Sequence, residues 1–118
     1  MTKPDPPVKF LQETAQYGAL PGTEDWHAVT QLYIGDGYGW TEWRVYFSPS
    51  ARRYFWHGDS GCSCNYWADD VDSAEDFGNG SRADAVNNLR SFVEGFSDGT
   101  AETLEAVAEI KTYREPKA

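Results

Sequence analysis

Histidine and cysteine are scarce in this chain, two of each among 118 residues. Structural zinc centres usually draw on two separated ligand pairs, and only one cysteine pair, Cys62 and Cys64, is present. Bases are also few. Ten Lys and Arg stand against nineteen Asp and Glu, a net charge of −9, which argues against duplex nucleic acid as a partner. No apolar run approaches the roughly 18 residues needed to span a membrane. The start, Met1 to Pro7, lacks the apolar stretch of a secretory signal. A cytoplasmic protein is expected, with thiols kept reduced and no disulfide between Cys62 and Cys64.

Aromatic residues are plentiful. Five Trp, seven Tyr and six Phe occur in the chain, and ten of these lie between Tyr38 and Trp67. Each large ring buries about 150–250 Å², so this stretch is expected to supply much of the core. The length fits a single domain over residues 1–118, with the Pro-rich residues 1–7 disordered. Val8, Phe10 and Leu11 are candidates for a short anchor, and Leu20-Pro21-Gly22-Thr23 is a turn signal.

Period-two alternation predicts strands over His27–Ile34 and Trp40–Ser48. In the first, Ala28, Thr30, Leu32 and Ile34 share a face. In the second, Thr41, Trp43, Val45 and Phe47 form the core face, while Trp40, Glu42, Arg44 and Tyr46 occupy a half-covered one. A short turn at Ser48–Ala51 predicts an antiparallel hairpin with a third strand ending at His57. Gly58 to about Gly80 then reads as irregular, and Tyr66 and Trp67 would pin its first half. Asp69, Asp70, Asp72, Glu75 and Asp76 crowd this segment without the spacing of a calcium loop, so a solvated face is the plain expectation.

Ser81 and Asp84 have the spacing of a capping box. Val86, Leu89, Phe92, Val93 and Phe96 form the apolar stripe of a helix that ends at Ser97-Asp98-Gly99. Thr100 is the expected N-cap of a second helix, with Thr103, Ala106, Val107, Ile110 and Tyr113 buried. Strands first and helices last predict an α+β fold: an antiparallel β-meander of three to four strands with two C-terminal helices packed on one face.

Cys62 and Cys64, with His57 and Asp59, offer up to four ligands for a zinc-like ion; packed structural thiols are the plainer reading. Gly58-Asp59-Ser60-Gly61 resembles the surroundings of some serine nucleophiles, but a nucleophile also needs a positioned base and an oxyanion hole. His57 stands too close in sequence to imply one, and turns use these same residues. The aromatic face with Arg44, Arg52 and Arg53 could stack a nucleotide-like ligand. Gly35-Asp36-Gly37-Tyr38-Gly39 is no phosphate loop, for it lacks the lysine and the following helix.

The run Arg53-Tyr54-Phe55-Trp56-His57-Gly58-Asp59-Ser60-Gly61-Cys62-Ser63-Cys64, with Glu24-Asp25-Trp26-His27 before it and Ser81-Arg82-Ala83-Asp84-Ala85 after it, resembles a family of small uncharacterised proteins of actinobacterial phages. The resemblance covers about residues 17–96 and implies a phage accessory protein, but no activity and no site residue. The leading expectation is a non-catalytic protein that binds a host or phage protein through an exposed patch holding Trp40, Arg44, Tyr46 or Trp67. A metal-supported site at His57, Asp59, Cys62 and Cys64 and a small-ligand binder are the alternatives. Self-association into a homo-oligomer is a further expectation to test.

Overall fold

The structure, a computed structural model, describes residues 20–35, 39–63, 65, 67–96 and 98–117. The expectations for residues 1–19, for Cys64 and Tyr66, and for the centre of the 35–39 glycine run lie outside these residues. Four strands follow one another in space as they do in sequence: β1 (His27–Gly35), β2 (Gly39–Ser48), β3 (Arg53–Cys62) and the short β4 (Gly78–Gly80). All neighbours pair antiparallel. Helices α1 (Arg82–Val93) and α2 (Thr100–Thr112) complete the α+β fold.

Alternation places Trp43, Val45 and Phe47 on the helix-facing side of β2. They join Leu32, Tyr54 and Trp56 from the sheet and Leu89, Val107 and Ile110 from the helices in one core. A bulge between Ala28 and Thr30 interrupts β1, so Ala28 pairs with Tyr46 while Thr30 pairs with Val45. Ala28 therefore leaves the face that Thr30, Leu32 and Ile34 share, because the extra residue, Val29, resets the period.

The other face of the sheet is covered too, contrary to the half-covered expectation. Leu20 and Trp26 on one side and Trp67, Ala68, Val71 and Phe77 on the other close over Tyr46, with Phe55 partly buried beside them. Trp26 stacks on Phe55 at 4.6 Å and meets Phe77 edge-on at 4.8 Å. The segment after β3 is thus more ordered than its composition suggested. The Ser73 side chain caps a single 3₁₀ turn at Ala74–Asp76, Ala74 N–H donates to Pro21 O at 2.9 Å, and β4 adds a sheet edge.

Ser81 and Asp84 form the full capping box on α1, as expected. Arg82, in the first turn of α1, sends Nη1 to the carbonyl oxygens of Ile110 (2.7 Å), Lys111 (3.2 Å) and Tyr113 (2.8 Å). These carbonyls lie at and just beyond the end of α2, where Ile110 O also accepts the Tyr113 N–H at 3.4 Å, and a cation there complements the helix dipole. At the β2–β3 turn, Ser48 Oγ and Ser50 N–H both donate to the Asp25 carboxylate. Burial works to raise that carboxyl, and the hydrogen bonds from Ser50 and Ser48 outweigh it and leave it low.

Candidate functional site

The strand parity of β2 and β3 decides where the predicted site residues go. Arg44 lies opposite His57, and Glu42 lies opposite Asp59, all on the sheet face away from the helices. Cys62 has the opposite parity to His57 and Asp59, so its side chain leaves by the helix-facing side. Cys62 is also disulfide-bonded and offers no thiolate. This corrects the expectation of reduced, packed thiols; the chain holds one other cysteine, Cys64, beyond the described residues. The expected His57–Cys64 turn is also corrected. β3 runs through to Cys62 because ten residues of β2 offer it a partner throughout, and its glycines sit within the ladder. Among the described residues no group of three or more His, Cys, Asp or Glu side chains is placed to hold a metal ion.

On the outer face, Arg44 Nε donates to Glu42 Oε2 at 2.5 Å, and Gln31 Nε2 donates to the same oxygen. Both charged side chains are nearly sealed, at 7 % and 9 % exposure for Arg44 and Glu42. Burial pushes the Glu42 carboxyl up, opposed by the Arg44 charge. Burial also pushes the Tyr46 phenol up to about 12. The Arg44 guanidinium lies 4.2 Å from the centre of the Trp67 ring, a cation–π contact. Trp67 Nε1 donates to His57 O at 3.1 Å, and Ala68 N–H donates to Asp59 Oδ2 at 3.3 Å. His57 Nε2 stands 3.6 Å from Asp59 Oδ2, too far for a direct hydrogen bond.

The structure therefore brings Arg44, Tyr46, Trp67, His57 and Asp59 together, but as the seat of a clasp. Tyr46 and Trp67 are each 2 % exposed, and neither can form the exposed patch expected of them. Their rings gain more by covering each other and Arg44 than by meeting water. The arginine cluster is also dispersed. Arg52 turns to Glu115 and the Pro116 carbonyl, and Arg53 to Asn79, while Arg44 stays under Trp67.

Trp40 alone of the four predicted binding residues keeps part of its surface. Its Nε1 donates to Cys62 O at 2.9 Å, which fixes the indole at the start of β2. It borders a pocket of about 290 Å³ between the β1–β2 end of the sheet and the α1–α2 turn, lined by Ile34, Thr41, Gly95, Phe96 and Asp98 as well. Phe96 was expected inside a helix. Instead α1 stops at Val93, and Phe96 lies beyond it, 44 % exposed, with its ring 6.0 Å from that of Phe92.

Two left-handed glycines shape this turn, Gly95 at φ 87° and Gly99 at φ 84°. Gly99, not Thr100, is the N-cap of α2, and it accepts hydrogen bonds from both Thr103 N–H and Thr103 Oγ1. A Cβ on Gly99 would overlap Ile34. The glycine pair reverses the chain within a few residues and leaves Phe96 on the outside of the reversal. The signal was present in the sequence, because Gly95 ends a helix as readily as Gly99, but the apolar spacing through Phe96 masked it.

The family model described as "Domain of unknown function (DUF7574)" matches residues 25–115. The chain belongs to this family. No curated protein and no solved structure matches it. The matched segment begins and ends on two ties to the β2–β3 hairpin: Asp25 accepts from Ser48 and Ser50 at the turn, and Glu115 accepts from Arg52 and from the Tyr54 hydroxyl. Within the described residues no helix is long and apolar enough to cross a membrane.

Proposed function

We propose that this member of the family is a small non-catalytic binding protein, a phage accessory protein that engages a host or phage protein in the bacterial cytoplasm. The observation that carries the reading is the pocket at the α1–α2 turn. A half-exposed Phe96 stands with Ile34, Thr41 and Asp98 around a concavity of about 290 Å³ that the start of β2 also borders. Tyr33 is as exposed as Phe96, but of the two rings only that of Phe96 lines this concavity. The phage context rests on the similarity of residues 53–64 and 81–85 to phage-encoded sequences, and the acidic balance suits a basic protein surface.

The test is capture from a lysate of the infected bacterium, with the wild-type protein and Phe96→Asp compared side by side. A defined partner retained by the wild type and lost from the variant supports the reading. A partner bound equally by both, or by neither, rejects this pocket as the binding surface.

A further inference from the structure

We propose that the Cys62 disulfide is a reversible thiol–disulfide exchange site, opened by small thiols and closed again by their disulfides. The proposal is independent of the protein-binding reading above.

Cys62 is the last residue of β3, disulfide-bonded and exposed to solvent. It belongs to neither hydrophobic core of the molecule. The chain contains one other cysteine, Cys64, so the bond closes a ring over the single residue Ser63. A disulfide stabilises chiefly by restricting the unfolded chain, and that restriction grows with the loop it closes. A ring over one residue therefore adds little to stability, and an exposed disulfide is open to attack by thiolates.

The surroundings hold the backbone of Cys62 without help from the bond. Its partner across the ladder is Gly39. Its N–H donates to Asn65 Oδ1 at 2.9 Å, and its carbonyl accepts the Asn65 N–H at 3.3 Å and the Trp40 indole N–H at 2.9 Å. Opening the bond thus leaves the end of β3 anchored, and two thiols on one turn favour closing on each other over a lasting mixed disulfide. The bond also has a local consequence. Residues two apart in a strand are separated by about 6.8 Å, the upper limit of what a disulfide spans. A closed ring therefore stops extended backbone at Cys62, where β3 ends.

Exchange takes two steps. A thiolate attacks one sulfur of the disulfide. The sulfur–sulfur bond breaks, its electron pair leaves on the other cysteine, which takes a proton, and a mixed disulfide forms. A second thiolate then attacks the outer sulfur of the mixed disulfide and releases the remaining cysteine thiolate, which is also protonated. Two thiols become one disulfide, and two electrons and two protons pass to the protein.

The test equilibrates the folded, full-length protein in mixtures of reduced and oxidised glutathione, then quenches with acid, alkylates and measures the intact mass. The dithiol form should predominate in excess reduced glutathione, and the disulfide should return in excess oxidised glutathione, both without denaturant. In the nuclear magnetic resonance spectrum, reduction should shift the Trp40 indole and Asn65 signals and leave the amides of Leu89 and Ile110 in place. Cys64→Ser should hold one glutathione on Cys62 in oxidised glutathione, where the wild type holds none. A bond that resists reduced glutathione until urea unfolds the protein overturns the proposal. So does a Cys64→Ser variant that takes up no glutathione. Movement of the Leu89 and Ile110 signals on reduction would make the bond a support of the fold, and covalent dimers on a non-reducing gel would place it between chains; either result also overturns the proposal.

Discussion

Tyr54, near the start of β3, donates its phenolic hydroxyl to Glu115 Oε2 at 2.7 Å, tying the tail after α2 back to the sheet. Arg82 reaches the same carboxylate at 3.0 Å from α1. The hydrogen bond from Tyr54 is the largest effect on the Glu115 carboxyl; burial opposes it, and the charges and hydrogen bond of Arg82 and Arg52 help to leave it below its ordinary value of 4.5. A carboxyl depressed in the folded state stabilises above its unfolded value and loses that contribution as pH falls through the folded one. Urea unfolding between pH 7 and pH 3 should therefore show a loss of stability that sets in below about pH 4.5. Glu115→Gln should cost about 1 kcal/mol at pH 7 and reduce that acid loss; an unchanged acid limb would refute the assignment.

The Glu42–Arg44 pair behaves differently because it is buried. Removing one partner strands the other, so Arg44→Met should cost about 3–5 kcal/mol at pH 7. Burial already raises the Glu42 carboxyl, and without Arg44 the opposing charge is gone and the hydrogen bond from Gln31 is left. A raised carboxyl costs stability as it ionises, so Arg44→Met should weaken as pH climbs from about 4.5 towards 7. Replacing both residues, Glu42→Leu with Arg44→Met, should cost clearly less than the two single changes summed, and chemical denaturation of the four proteins measures the coupling.

Gly95 and Gly99 share a left-handed backbone but not their surroundings. A methyl group at Gly95 meets open space, whereas at Gly99 it meets Ile34. Gly95→Ala should cost about 1–2 kcal/mol, the backbone strain alone. Gly99→Ala should cost more and should displace Ile34 at the wall of the Phe96 pocket, visible as a shift of the Ile34 methyl resonances. Equal melting temperatures for the two variants would count against this account.

Cys62 should resist alkylation by iodoacetamide in the folded protein until a reductant is added, because it is disulfide-bonded. Peptide mass mapping with and without prior reduction reads this directly. Labelling of Cys62 before reduction would show a free thiol.

The strands and helices were legible because β2 alternates cleanly and α1 begins with a complete capping box. The core face of β2 could be named from Trp43, Val45 and Phe47. The outer face was harder. Trp40, Glu42, Arg44 and Tyr46 read as half-solvated because charges sit among the rings, and what seals them arrives from residues 20–26 and 67–77. No local pattern encodes that long-range cover. Glycine misled twice for the same reason. Gly58 and Gly61 look like turn signals, but in β3 they occupy ladder positions opposite Trp43 and Trp40. Phe96 continued a helical spacing past the point where Gly95 breaks the helix, so the most exposed ring of the candidate site was read as core.

The ties at Asp25 and Glu115 give the molecule a polarity. Both fasten to the β2–β3 turn, at one end of a ten-residue strand whose other end opens on the Phe96 pocket. At about 3.4 Å per residue, that strand separates the two poles by roughly 30 Å. An affinity support attached just after Glu115 would therefore hold the pocket outward, leaving it clear for a partner to approach.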